Sequence, residues 1–185
     1  AAPLASVSAA EWIQSLQFLV IVYFAAALTL RFPFAAMSTE RDTAWALLST
    51  PVTRSLIFTA KAVVQVGGVV VLTVFVTLLH ILILPTTVVS AISFVAFGCI
   101  ASATIGFLGL GIGTRFPNLH TTDPQQLSTS VPGLAFMGIA MTYGAVSSFL
   151  LFQWFATDLL VYPAVLVGLS LLTGWLIYLT VVRKL

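Results

Sequence analysis

Five long apolar runs constrain the fold of this chain more than any other feature. A helix needs about 20 mainly apolar residues to cross the hydrocarbon core of a membrane. Five runs come close to or exceed that length: residues 12–30, 56–84, 88–112, 131–152 and 160–182. Hydrophobic residues make up 60% of the chain and charged residues only 6%, against about 25% charged residues in a soluble domain. We therefore expect an all-α, polytopic membrane protein with one transmembrane domain over its 185 residues.

The basic residues indicate the orientation of these runs. When the five runs are threaded through a membrane, all seven cations fall on one side: Arg31, Arg41, Arg54, Lys61, Arg115, Arg183 and Lys184. The opposite gaps, around Pro85 and Asp158, contain no Lys or Arg. This bias marks the cytoplasmic face, so residues 31–55, residues 113–130 and the C-terminus are expected in the cytoplasm. Because the cations are scattered at helix ends, they do not predict a nucleic-acid site.

The first cytoplasmic segment predicts a short amphipathic helix. Thr39 and Asp42 have capping-box spacing, with Asp in place of the usual Glu or Gln, and Trp45 lies on the apolar side. Such a helix can lie in the lipid headgroups with Trp45 as its anchor, or it can dock a cytoplasmic protein. Membrane-surface helices are usually rich in Lys and Arg, so the acidic start at Glu40 and Asp42 favours docking.

Other polar and small residues have ordinary structural interpretations. His120 and Asp123 are too few ligands for a metal site, and Cys99 is expected to be a small packing residue. His80 is expected to be a hydrogen-bonded structural residue; a role in a pathway is the alternative. Small residues recur every four positions on the third run, where we expect packing within the chain rather than a dimer seam: Gly98, Ser102 and Gly106.

Both cytoplasmic segments carry a family resemblance. The first contains Leu30-Arg31-Phe32-Pro33, Glu40, Trp45, Pro51 and Lys61, and the second contains Gly111, Gly113, Arg115-Phe116-Pro117 and Asp123-Pro124. In type and spacing these residues resemble bacterial ABC-2 type exporter permeases, over residues 30–137. Arg41 and Asp123 depart from the glycine and asparagine that are common there. The resemblance, the absence of an initiator Met and the outside N-terminus predict a fragment, the C-terminal half of a longer permease.

The resemblance implies a permease subunit that couples export to ATP hydrolysis in the bacterial plasma (inner) membrane. ATP and Mg would then be bound by a separate cytoplasmic ABC ATPase, and this chain would be no enzyme and hold no cofactor. Other expected partners are membrane lipids and a second permease half or copy. The resemblance implies a coupling helix that contacts the ATPase through Glu40, Arg41, Asp42, Trp45 and Leu48. It also implies a membrane boundary and loop formed by Arg31, Arg54, Lys61, Arg115 and Pro117.

Three alternatives to a permease stay open. The first is a non-transport membrane anchor or assembly subunit that holds its partner through the same Trp45 helix. A secondary transporter is disfavoured because no ionisable residue lies clearly within the middle of a run. An intramembrane enzyme is least favoured, since the sequence has no recognisable catalytic motif.

Overall fold

The computed structural model describes residues 9–36, 38, 54–83, 87–117, 124–157, 159–177 and 179. Within these ranges the chain is mostly helical, with short turns between helices, and contains no strand. The helices are α1 (Ala9–Arg31), α2 (Arg54–Lys61), a π-helical segment (Ala62–Val66), α3 (Gly67–Ile83), α4 (Val88–Arg115), α5 (Pro124–Ser128), α6 (Val131–Thr157) and α7 (Val161–Ile177). The prediction of an all-α fold is therefore confirmed for the described residues.

Four of the predicted spans are long and apolar enough to cross a membrane: Trp12–Arg31, Leu56–Ile83, Val88–Arg115 and Val131–Thr157. The fifth, Val161–Ile177, is apolar but has 17 residues in the described part of the chain. Their outward faces carry large apolar side chains, among them Leu16, Phe75 and Leu82. An apolar exterior of this kind is typical of a surface that faces lipid.

Helix α4 lies at the centre of the bundle and contacts α1, α3, α6 and α7. Its buried side chains join a core built around Phe18 of α1, Phe94 of α4 and Phe136 of α6. Near the start of α1, the Ser148 hydroxyl donates a hydrogen bond of 2.6 Å to the Ser15 carbonyl. Because a hydroxyl needs a partner in lipid, this bond fixes α6 against α1.

The small residues of α4 serve packing within the chain. A Cβ atom added at Gly106 would lie 2.7 Å from Val66, and one at Gly109 would overlap Thr29 of α1. A Cβ at Gly98 would only touch Thr77, at 3.6 Å. The expectation of close approach between helices of one chain is confirmed at these glycines.

The second span changes its helical type partway along. Residues Ala62–Val66 form a π-helical segment, and Gly67 and Gly68 follow it directly. Both glycines have open space where a Cβ would lie. A π-helical segment inside a long helix shifts the faces that the two halves present, so α2 and α3 turn different faces toward the bundle.

Candidate partner-docking junction

The stretch that follows α1 folds back onto the bundle. Pro33 has no backbone N–H and cannot continue a helix, and residues 32–36 form turns there. The Phe34 N–H still donates to the Thr29 carbonyl at 2.9 Å. All of Pro33, Phe34, Ala35 and Ala36 are buried, so the chain leaves α1 as an ordered, packed turn.

This turn lies directly on the end of α4. A Cβ atom added at Gly113 would overlap the Phe34 carbonyl, because the two backbones are in close contact. The Phe34 ring also lies 5.9 Å from the Phe136 ring of α6, measured between centroids. Glycine is therefore required at position 113 by the space available, not by an unusual backbone angle.

Lys61, at the end of α2, also contacts the turn that follows α1. Its Nζ atom donates a hydrogen bond of 2.9 Å to the Ala36 carbonyl. Beneath it, Ala36 packs in a small apolar cluster with Phe58, Val66 and Leu110. A charged donor makes a stronger hydrogen bond than a neutral one, so Lys61 holds α2 to the turn after α1.

We call Phe34, Ala36, Lys61 and Gly113 the junction. It joins the charged ends of three helices, since Arg31 ends α1, Lys61 ends α2 and Arg115 ends α4. Residues 39–53 lie outside the described residues; in sequence they connect Ser38, two residues after Ala36, to Arg54, where α2 begins. The junction holds the end of α2 against the turn after α1.

The structure brings some of the sequence-predicted residues together. Lys61 belongs to the junction, and Arg31, Arg115 and Pro117 lie exposed at the adjoining helix ends. Arg54 begins α2. The residues predicted to contact a partner lie outside the described residues: Glu40, Arg41, Asp42, Trp45 and Leu48.

His80 differs from the expectation. Its Nε2 atom is buried and has no hydrogen-bond partner among the described residues. Its ring instead lies edge-on to Phe94, with 5.7 Å between centroids. Among the described residues, the His80 ring is thus held by an aromatic contact, and its Nε2 atom has no hydrogen bond.

A cluster of hydroxyl groups inside the bundle was not predicted from the sequence. The Tyr143 hydroxyl lies 2.8 Å from Ser170 Oγ, and Thr104 lines the same groove as Tyr143. These residues come from α6, α7 and α4, and each lies in an apolar run. Single hydroxyl residues are common in membrane helices, so only the packing of the three helices reveals the cluster.

No group of three or more His, Cys, Asp or Glu residues that could hold a metal ion occurs within the part of the chain described. His120 and Asp123 lie outside that part. Cys99 is a free thiol and is only half-buried.

A family model described as "Putative ATP-binding cassette" matches residues 3–181. The match covers almost the whole chain, so the chain belongs to this family and is related to ABC transporters. No curated protein and no solved structure matched the chain.

This match corrects the sequence-based identification. The chain was predicted to be a permease of the ABC-2 exporter type and to couple ATP hydrolysis to export, but the matching family is a putative ATP-binding cassette family. Both the family and the permease function predicted from it were wrong. The structure offers a physical reason, because packing alone accounts for much of the pattern: Pro33 ends α1, and Gly113 makes room for Phe34.

Proposed function

We propose that this chain is the membrane-embedded helical component of an ATP-binding cassette system, and that it holds an ATP-hydrolysing protein at the membrane surface. The junction is the observation that carries the proposal. It holds the end of α2 against the turn after α1, the two elements that flank residues 39–53 in sequence, and the sequence of those residues predicts a docking helix. The proposal assigns the chain the role of an anchor and no transport pathway.

The apolar exterior of the bundle supports insertion in a membrane. We place five spans across the bacterial plasma membrane, with the fifth formed by α7. The junction then lies at the cytoplasmic face together with the C-terminus, because all seven cations fall on that side. Membrane lipids cover the outward faces of the helices.

We assign ATP and Mg to the partner protein and no ATPase activity to this chain. The sequence has only two lysines, Lys61 and Lys184. Neither follows a glycine-rich loop of the GxxxxGK[ST] type, in which backbone N–H groups and a lysine hold the phosphates. Moreover, Lys61 already donates to a carbonyl of its own chain.

A second candidate function is ATP binding by this chain itself. The description of its family favours this candidate, since it names an ATP-binding cassette. The two candidates differ in which protein binds the nucleotide, and this can be measured directly.

The proposed docking surface has an apolar anchor and an acidic edge. Trp45 would fill an apolar pocket on the partner, since tryptophan is enriched among the residues that dominate binding energies. Glu40 and Asp42 would lie beside basic residues of the partner.

Extraction of the tagged chain in a mild detergent, followed by mass spectrometry of the intact complex, tests the proposal. We expect an ATPase with a P-loop at a fixed stoichiometry. Trp45→Ala should weaken its association about 30-fold, the effect of losing a hot-spot side chain. Trp12→Ala is the control, because Trp12 packs on Phe152 at the other end of the bundle, 4.3 Å between ring centroids. Purification without any ATPase, or equal losses in both variants, would contradict the proposal.

A further inference from the structure

Helices α4, α6 and α7 form an open groove on the outside of the bundle. Its volume is about 390 Å³, within the range of about 300–1,000 Å³ that is usual for ligand clefts. Helix α7 covers the groove poorly, since only Leu166 and Ser170 among its described side chains are buried. Most of the lining is aliphatic and suits a hydrocarbon chain: Ile105, Leu108, Ile139, Val146 and Leu169.

The length of α6 places the groove at the depth of the acyl chains of one leaflet. Helix α6 has 27 residues, so it is about 40 Å long and, when centred, extends about 5 Å beyond each side of a hydrocarbon core about 30 Å thick. Gly138 and Val146 line the groove, and they lie about 10 Å and about 22 Å along the helix from its first residue, Val131. They are therefore about 5 Å and about 17 Å inside the hydrocarbon core.

Arg115 lies beyond the end of this groove, at the level of lipid phosphates. Thr104 and Leu108 of α4 line the groove, and Arg115 lies on the same face of α4, two turns beyond Leu108. Helix α4 has 28 residues and ends at Arg115. At about 1.5 Å per residue and centred in the membrane, it places Arg115 about 6 Å outside the hydrocarbon core, within a headgroup layer about 5–7 Å thick. The arginine side chain is exposed there.

The charges at this end of the groove favour an anionic headgroup. Arg183 and Lys184 follow α7, and Asp123 follows α4; all three lie outside the described residues. With Arg115, the sequence thus carries three cations and one acidic residue at and after these helix ends. In the described part of the chain the one acidic residue is Glu11, near the start of α1 and so at the opposite end of the bundle. Basic residues between transmembrane helices bind anionic lipid headgroups.

We propose that the groove binds an anionic phospholipid, with one acyl chain between α4, α6 and α7 and the phosphate beside Arg115. The guanidinium group of arginine is suited to this contact, because it can donate two parallel hydrogen bonds to a phosphate. The acyl chain fills the space that α7 leaves open. This inference rests on the membrane insertion proposed above but not on the ATPase contact, which lies at the junction.

Native mass spectrometry of the delipidated protein in detergent, without any ATPase, tests the lipid site. The protein is titrated with anionic phosphatidylglycerol and with zwitterionic phosphatidylcholine that carries the same acyl chains. We expect the first phosphatidylglycerol molecule to bind about fivefold more tightly, the effect of one cation beside an anionic headgroup. Glycerol 3-phosphate, which has the phosphate but no acyl chain, should not displace it. Equal affinity for the two lipids, or displacement by glycerol 3-phosphate, would overturn the proposal.

Two pairs of variants test the headgroup contact and the acyl-chain contact separately. Arg115→Gln should abolish the preference for phosphatidylglycerol and Arg115→Lys should retain most of it, whereas Arg31→Gln, which removes an exposed cation from the end of α1, should leave it unchanged. Gly138→Phe should weaken the binding of both lipids, because a Cβ there meets nothing within 4 Å and the ring can occupy the groove. Its control is Gly168→Phe, on the exposed face of α7 and outside the groove. The same lipid preference in Arg115→Gln and Arg31→Gln, or the same affinity in the two glycine variants, would contradict the site.

Discussion

Substitution of Gly113 by alanine is the sharpest structural test of the junction. The added Cβ atom would overlap the Phe34 carbonyl oxygen and would lie 2.9 Å from its carbon and 3.1 Å from its Cα. All three atoms belong to the backbone, so no side chain can rotate away. The turn after α1 must move by about 1 Å, and with it the Phe34 ring against Phe136.

The expected loss of stability follows from two opposing contributions. Overpacking of this kind costs about 1–3 kcal/mol, whereas replacing a helical glycine by alanine gains about 0.5–1 kcal/mol. We therefore expect Gly113→Ala to lower the free energy of unfolding by about 1–2 kcal/mol. For a chain of this length, that corresponds to a melting temperature lower by about 2–8 °C.

Thermal unfolding of the purified protein in detergent measures this effect. Gly168→Ala is the control, because Gly168 is helical and a Cβ there meets nothing within 4 Å. The control should be as stable as the original protein or slightly more so. If Gly113→Ala were as stable as Gly168→Ala, the close contact between Phe34 and Gly113 would be wrong.

Three other predictions address the junction, the bundle interior and the topology. Lys61→Met should lower the melting temperature and weaken ATPase association, since it removes a charged hydrogen bond worth about 1.5–3 kcal/mol. In the same assays, Lys61→Arg should retain most of the thermal stability and most of the association. Tyr143→Phe should lower the free energy of unfolding by about 0.6–1 kcal/mol, while Tyr162→Phe, outside the cluster, should leave the unfolding curve unchanged. In a Cys99→Ser background, a thiol reagent that does not cross membranes should label Leu160→Cys in intact cells and Phe116→Cys only after lysis; the reverse pattern would contradict the orientation.

Much of the fold was predictable because lipid leaves few choices. A run of about 20 apolar residues must satisfy its own backbone hydrogen bonds, so it forms a helix. The end points of the helices were harder to predict. The third run was predicted to end at Ile112, but α4 continues to Arg115, since the long arginine side chain can reach the polar boundary from within a helix. The π-helical segment, which packs against α4, was not predicted, because no proline marks it in the sequence.

The candidate site was only partly predictable, because its contacts join residues that lie far apart in the sequence. Cations at helix ends identified the cytoplasmic side, but nothing in the sequence showed that Lys61 donates to Ala36. Nor did it show that Tyr143 meets Ser170 across 27 residues of chain. Short motifs also failed to separate one family from another, because helix ends with proline and glycine satisfy packing needs that many helical bundles share.

The most direct test of the central claim is photoaffinity labelling of the native membrane complex with an azido derivative of ATP, followed by separation of its subunits. Our account predicts that the label is attached to a co-purifying P-loop ATPase and not to this chain. Label on this chain, competed by unmodified ATP, would contradict the account and establish ATP binding by the chain itself.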